Sequence, residues 1–129
     1  MMTPSAQDIN TSLIRRFGVG KRGSLAVTAN GLGAFAVTPD APYDGGLTTA
    51  VQFSQLLSKA RGRLDEIDSG KDRLMFAAIL LTDMNDLDAV NAVWDKWVSD
   101  VQPPARACFE ARLAHRDLKV EMIVICVAD

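Results

Sequence analysis

Lys119-Val120-Glu121-Met122-Ile123-Val124-Ile125-Cys126-Val127 decides the fold. Alternate side chains of a strand face opposite sides of its sheet. Val120, Met122, Val124 and Cys126 make one apolar face, and Ile123, Ile125 and Val127 make the other, joined there by the lone charge Glu121. A strand that is apolar on both faces belongs inside a covered sheet. The preceding strand, Arg106–Leu113, alternates instead. Ala105, Ala107, Phe109, Ala111 and Leu113 share one side, expected beneath the helices, while Arg106, Cys108, Glu110 and Arg112 share the other. A polar turn around His115–Asp117 joins the two strands.

Working upstream, Pro103-Pro104 imposes extended backbone. Leu87–Val98 reads as a helix with Leu87, Val90, Trp94 and Trp97 as its apolar stripe and Asn85 or Asp86 as its cap. Arg73–Thr82 is a nearly continuous apolar run, read as a central strand covered on both faces. Leu47–Ile67 is a longer helix, because Ala50, Phe53, Leu56, Leu57, Ala60, Leu64 and Ile67 recur at i, i+3, i+4 spacing. Thr38–Gly46 is a turn-rich loop. Asn30-Gly31 signals a hairpin between Ser24–Thr28 and Leu32–Val37, and Leu13–Val19 is a weaker strand before it. Met1–Asn10 is polar and expected to be frayed. The order is β-β-α-β-α-β-β in a single domain over residues 1–129. Two helices cover only one face of such a sheet, so a second subunit is the natural cover for the other.

Composition narrows the function classes. Fourteen Lys and Arg against 16 Asp and Glu give a net charge of -2, without the basic stripe that nucleic acid requires. No apolar run approaches the ~20 residues that span a bilayer. The first 30 residues hold Asp8, Arg15 and Arg16 and no apolar signal core, so a cytoplasmic location is expected. One His and two isolated cysteines, Cys108 and Cys126, argue against a metal site or a disulfide scaffold.

Pro103-Pro104-Ala105-Arg106-Ala107-Cys108-Phe109-Glu110-Ala111-Arg112-Leu113, with Lys119-Val120-Glu121-Met122 after it, resembles the C-terminal signature of the RidA/YjgF family. Leu81–Val98 is similar to the family's strand-loop-helix, and Asn91 with Trp94-Asp95-Lys96-Trp97 resembles its YoaB-like branch. Arg22-x-Ser24-x-Ala26-Val27 is a weaker N-terminal echo. The resemblance implies an α+β, chorismate-mutase-like fold in a homotrimer, with ligand sites in clefts between subunits. It implies hydrolysis of reactive enamines and imines derived from amino acids, giving a 2-oxo acid and ammonia. Arg106 would hold the substrate carboxylate bidentately. Glu121 would position the attacking water and accept its proton. Asn91 and Cys108 match positions lining the cleft. No metal or organic cofactor is implied, since an iminium carbon is already electrophilic.

The chain also departs from that pattern. Where the family ends its early strand with a Gly-containing Ser-Gly-Gln or Ala-Gly-Gln, this chain has Val37-Thr38-Pro39. Val37 and Thr38 would therefore form an altered cleft wall, in which Thr38 adds a Cβ and Pro39 removes a backbone donor. Gly23 stands at the usual Tyr, and Ile123 at the usual second Glu. These changes keep a second reading open: a non-catalytic trimer that binds or senses small carboxylates such as 2-oxo acids. Spacing alone also permits Arg106 and Glu121 as interface charges, Asn91 as a loop tether, Cys108 as a buried hydrophobe, and Trp94 and Trp97 as packing anchors. The older endoribonuclease L-PSP and translation-inhibitor labels of the family find no basic groove here.

Overall fold

Asn30 and Gly31 both adopt positive φ, 53° and 82°, which is the backbone that a two-residue hairpin turn demands. They fold β2 (Ser24–Ala29) back onto β3 (Leu32–Val37), setting Val27 opposite Ala34. The computed structural model describes residues 13–129, so the expectation for Met1–Asn10 lies outside the described residues. The remaining elements are β1 (Arg15–Val19), α1 (Thr49–Glu66), β4 (Leu74–Leu81), α2 (Leu87–Trp97), β5 (Ala105–Glu110) and β6 (Val120–Val127). All six strands join one mixed sheet in the order β1-β2-β3-β6-β4-β5, and only β4 and β5 pair in parallel. This is the expected α+β, chorismate-mutase-like architecture, with both helices on one face of the sheet. No helix among the described residues is long and apolar enough to cross a membrane.

The helix α1 begins after Thr48, whose hydroxyl accepts the Val51 N–H at 3.2 Å. Its stripe of Phe53, Leu56, Leu57, Ala60 and Leu64 is fully sealed against the sheet. Each large side chain there contributes about 1.5–3 kcal/mol by leaving water. The Phe53 and Trp94 rings stack at 6.4 Å and lock α1 to α2. The expected Asp86 cap of α2 does not form. Asp86 instead accepts the Thr49 hydroxyl at 2.6 Å, tying the two helix starts together, and Asp83 caps the short turn before α2.

Strand β6 lies at the centre, between β3 and β4, with Val120, Met122, Val124 and Cys126 buried beneath the helices. The opposite face lacks a cover within this chain, as the two-helix count implied, and this also overturns the expectation of a β4 covered on both sides. Within this chain β4 is covered fully on one side only, since Phe76 and Leu80 are just half-buried on the other. Ile123, Ile125, Val127 and Phe109 are exposed there too. The parity of β5 is the reverse of the expected one. Arg106, Cys108 and Glu110 pair with Ala77, Ile79 and Leu81, all buried under the helices, so they point to the helix side. Ala105, Ala107 and Phe109 pair with Phe76, Ala78 and Leu80 and face the open side. Apolar alternation reports the inside of a sheet only when the other face is wet. Here the uncovered face is itself apolar from β2 to β5, so the rule inverts.

Candidate functional site

The edge strand β5 positions the first group of candidate residues. Its register beside Ala77 sends the Arg106 side chain toward α2, where the guanidinium sits 5.6 Å from the Trp94 ring centroid. Trp94 itself is almost fully buried, so it forms a fixed aromatic shelf under a partly wet cation. Among the described residues no carboxylate pairs with Arg106. Its planar fork of N–H donors is therefore open to an anion. Cys108, two residues on, packs half-buried against the core; burial pushes its thiol pKa up, and the nearby Arg106 charge only partly opposes this. The thiol is thus neutral at ordinary pH and offers no thiolate nucleophile. Asn91 lies one helical turn before Trp94, with its Oδ1 buried and lacking a hydrogen-bond partner among the described residues. Buried polar atoms are nearly always paired, so this oxygen marks an incomplete polar site.

Glu121 sits elsewhere. It pairs with Leu80 on the open face, beside Ile123 and across β4 from Phe109. A half-buried carboxylate ringed by exposed apolar groups is costly in water and suits a surface that another molecule completes. Arg106 and Glu121 therefore point to opposite sides of one sheet. Three strand steps of about 3.3 Å and two ladder spacings of about 4.8 Å set their Cα atoms roughly 14 Å apart.

The third group lies at the end of β3. Val37 is sealed in the core, leaving only its backbone for any ligand wall. The Thr38 hydroxyl is 3.3 Å from the Tyr43 hydroxyl, and Lys59 Nζ donates to the Pro39 carbonyl at 3.0 Å. Gly23 precedes β2 with open space around it. Four ladder spacings separate β2 from β5, or about 19 Å. The sequence-identified residues thus fall into three places that one protomer does not bring together.

Gln52 was not picked out from the sequence, yet it holds this region in place. Nearly sealed from solvent, it donates to the Asp44 and Asp117 carbonyls at 3.0 and 2.8 Å and accepts the Lys119 N–H at 2.9 Å. It clamps the loop after β3 to the turn before β6. Gly45 packs so close to Asp117 that an added Cβ would lie 2.6 Å from its carboxylate. The available signal was a Gln at a stripe position, four residues before Leu56. Among the described residues no group of three His, Cys, Asp or Glu side chains converges to hold a metal ion.

The family model described as Endoribonuclease L-PSP matches residues 23–128. The chain is similar to a RutC family protein of Haemophilus ducreyi, 34% identical over 112 residues that cover 87% of this chain and 94% of the other. It is also similar to the RutC family protein YoaB of Escherichia coli, 32% identical over 74 residues, covering 57% and 65% of the two chains. A crystal structure of a YjgF-family protein from Neisseria meningitidis superposes with a TM-score of 0.83 at 40% identity, covering 90% of this chain and 95% of that one.

Proposed function

Because the chain belongs to the RidA/YjgF family, whose relatives carry the RutC and L-PSP names, we propose that it hydrolyses reactive enamines and imines derived from amino acids. The products are a 2-oxo acid and ammonia. The observation that carries this reading is Arg106, held on the Trp94 shelf with no carboxylate partner among the described residues. A substrate carboxylate fills the fork bidentately and fixes the adjacent C=N carbon. Water then adds to that carbon. Glu121 takes the proton the water sheds and returns it to the nitrogen of the carbinolamine. The carbinolamine hydroxyl then gives its proton to Glu121 as the C=O forms, the C–N bond breaks and ammonia leaves. The neutral Cys108 thiol forms wall rather than nucleophile.

Glu121 and Arg106 of one protomer face away from each other, so the site joins Arg106 of one copy to Glu121 of another. The uncovered apolar face, with Ile123, Ile125 and Phe109 each at least 40% exposed, supports a homotrimer that builds such clefts. Thr38 supports a second reading. Its hydroxyl and Cβ occupy the wall where the family pattern has Gly, which favours a binder of small carboxylates without turnover.

A coupled assay separates the two. An amino-acid dehydratase generates the imine in the cuvette, and 2-oxo acid release is timed with and without this protein. Acceleration that Arg106→Lys abolishes supports the hydrolase. No acceleration, with saturable 2-oxo acid binding, establishes the binder instead.

A further inference from the structure

A second hollow lies between α1 and α2, and the site above makes no use of it. It is a solvent-open groove of about 570 Å³, within the ~300–1,000 Å³ range of small-molecule sites. Helix–helix seams are usually filled by bulky apolar side chains at i, i+3, i+4, i+7 spacing. Here that row on α1 reads Ser54, Leu57, Ser58, Arg61, and the short serine side chains leave room beside the Phe53–Trp94 contact. Leu57 and Val93 floor the space, and the half-buried Trp97 supplies an indole wall.

Charge around the hollow is lopsided. Lys71 is largely buried, bound to Asp100 at 2.8 Å and set 5.4 Å from the Trp97 ring centroid. That pair neutralises itself. Arg61 and Lys96 also line the space, and neither pairs with a carboxylate among the described residues. Asp65 and Asp72 line an adjoining, smaller hollow of about 360 Å³ that shares Arg61, Lys71 and Asp100 with this one, and neither aspartate lines the larger hollow itself. An indole wall, an apolar floor, two unpaired cations and serine hydroxyls converge on one ligand chemistry. We propose that the α1–α2 hollow binds a flat aromatic anion, an arene bearing a carboxylate or phosphate, with the ring against Trp97 and the anion between Arg61 and Lys96. A three-carbon 2-oxo acid has no body to meet the indole and is the wrong ligand here.

The test uses 2-naphthoate and 2-naphthyl phosphate as probes, with neutral 2-naphthylmethanol as control, followed by amide and indole chemical-shift mapping at low salt. Saturable shifts at Ser54, Ser58, Lys96 and the Trp97 indole with either anion support the site, and the tighter probe names the headgroup. The double variant Arg61→Gln/Lys96→Gln should weaken binding about tenfold, as expected for two exposed charge contacts. Ser58→Leu should abolish binding by filling the space while keeping every charge. Both variants should hydrolyse imine as the unmodified protein does, and Arg106→Lys should leave naphthoate binding unchanged. These readouts keep the site independent of the proposed hydrolysis. Shifts centred on Arg106, equal binding of the neutral alcohol, unchanged affinity in Ser58→Leu, or no saturable shift would each overturn it.

Discussion

Replacing Gln52 by Leu should lower folding stability by about 2–4 kcal/mol, although it puts an apolar side chain of similar size into a buried position. Gln52 is 1% exposed, and its amide satisfies three backbone groups: the Asp44 carbonyl, the Asp117 carbonyl and the Lys119 N–H. Leucine fills the space but answers none of them. A buried group left unpaired costs about 1–3 kcal/mol, and a hydrogen bond recovered from water costs nearer 1. Asp44 is an exposed loop residue, so its carbonyl can rehydrate readily, whereas Asp117 and Lys119 are half-buried and their backbone groups regain water less easily. Three groups each near the floor of that range, at about 1 kcal/mol apiece, give a total near the middle of the stated loss. Urea unfolding followed by circular dichroism, at several protein concentrations to separate assembly from folding, measures it. Limited proteolysis should open the Thr38–Gly46 loop first, because Gln52 is what ties it to the turn before β6. A loss below about 1 kcal/mol with an unchanged m value would refute the reasoning.

Three further outcomes are expected. Arg106→Lys should slow imine hydrolysis about 30- to 1000-fold, the worth of a bidentate charge-assisted pair, with melting temperature and oligomer mass unchanged; full activity in a stable variant sinks the assignment. Sedimentation should give a mass near 42 kDa, three times the 14.0 kDa chain, and Ile125→Asp on the open face should reduce it to a monomer. An unmodified protein that is monomeric at micromolar concentration would remove the shared cleft. Burial raises the Cys108 thiol pKa, so its alkylation, read by mass spectrometry, should be slow at neutral pH and rise only beyond the ordinary thiol range. The sign for stability follows: the fold favours the protonated thiol, its contribution is complete below the unfolded thiol's pKa, and it is lost as pH rises through the folded value. Cys108→Ser should therefore flatten the alkaline limb, and labelling as fast as that of a free thiol would contradict the burial argument.

By itself the sequence determined the elements and the family. The Asn30-Gly31 turn, the stripe of α1 and the doubly apolar run of β6 are legible because each depends on neighbours within a few residues: φ preferences, helical spacing, strand alternation. The same alternation implied a missing cover for the sheet, and Arg106 and Glu121 stood out by motif. Strand order was not legible, since inserting β6 between β3 and β4 is a long-range pairing with no local signature. Nor was the work of Gln52, whose partners Asp117 and Lys119 lie 65 and 67 residues away. The side taken by Arg106 is the clearest case. Alternation tells inside from outside only when one face of the sheet meets water, and here both faces are apolar. The pairing of Arg106 with Ala77 across the β4–β5 ladder decides its direction, and that contact exists only once the chain has folded.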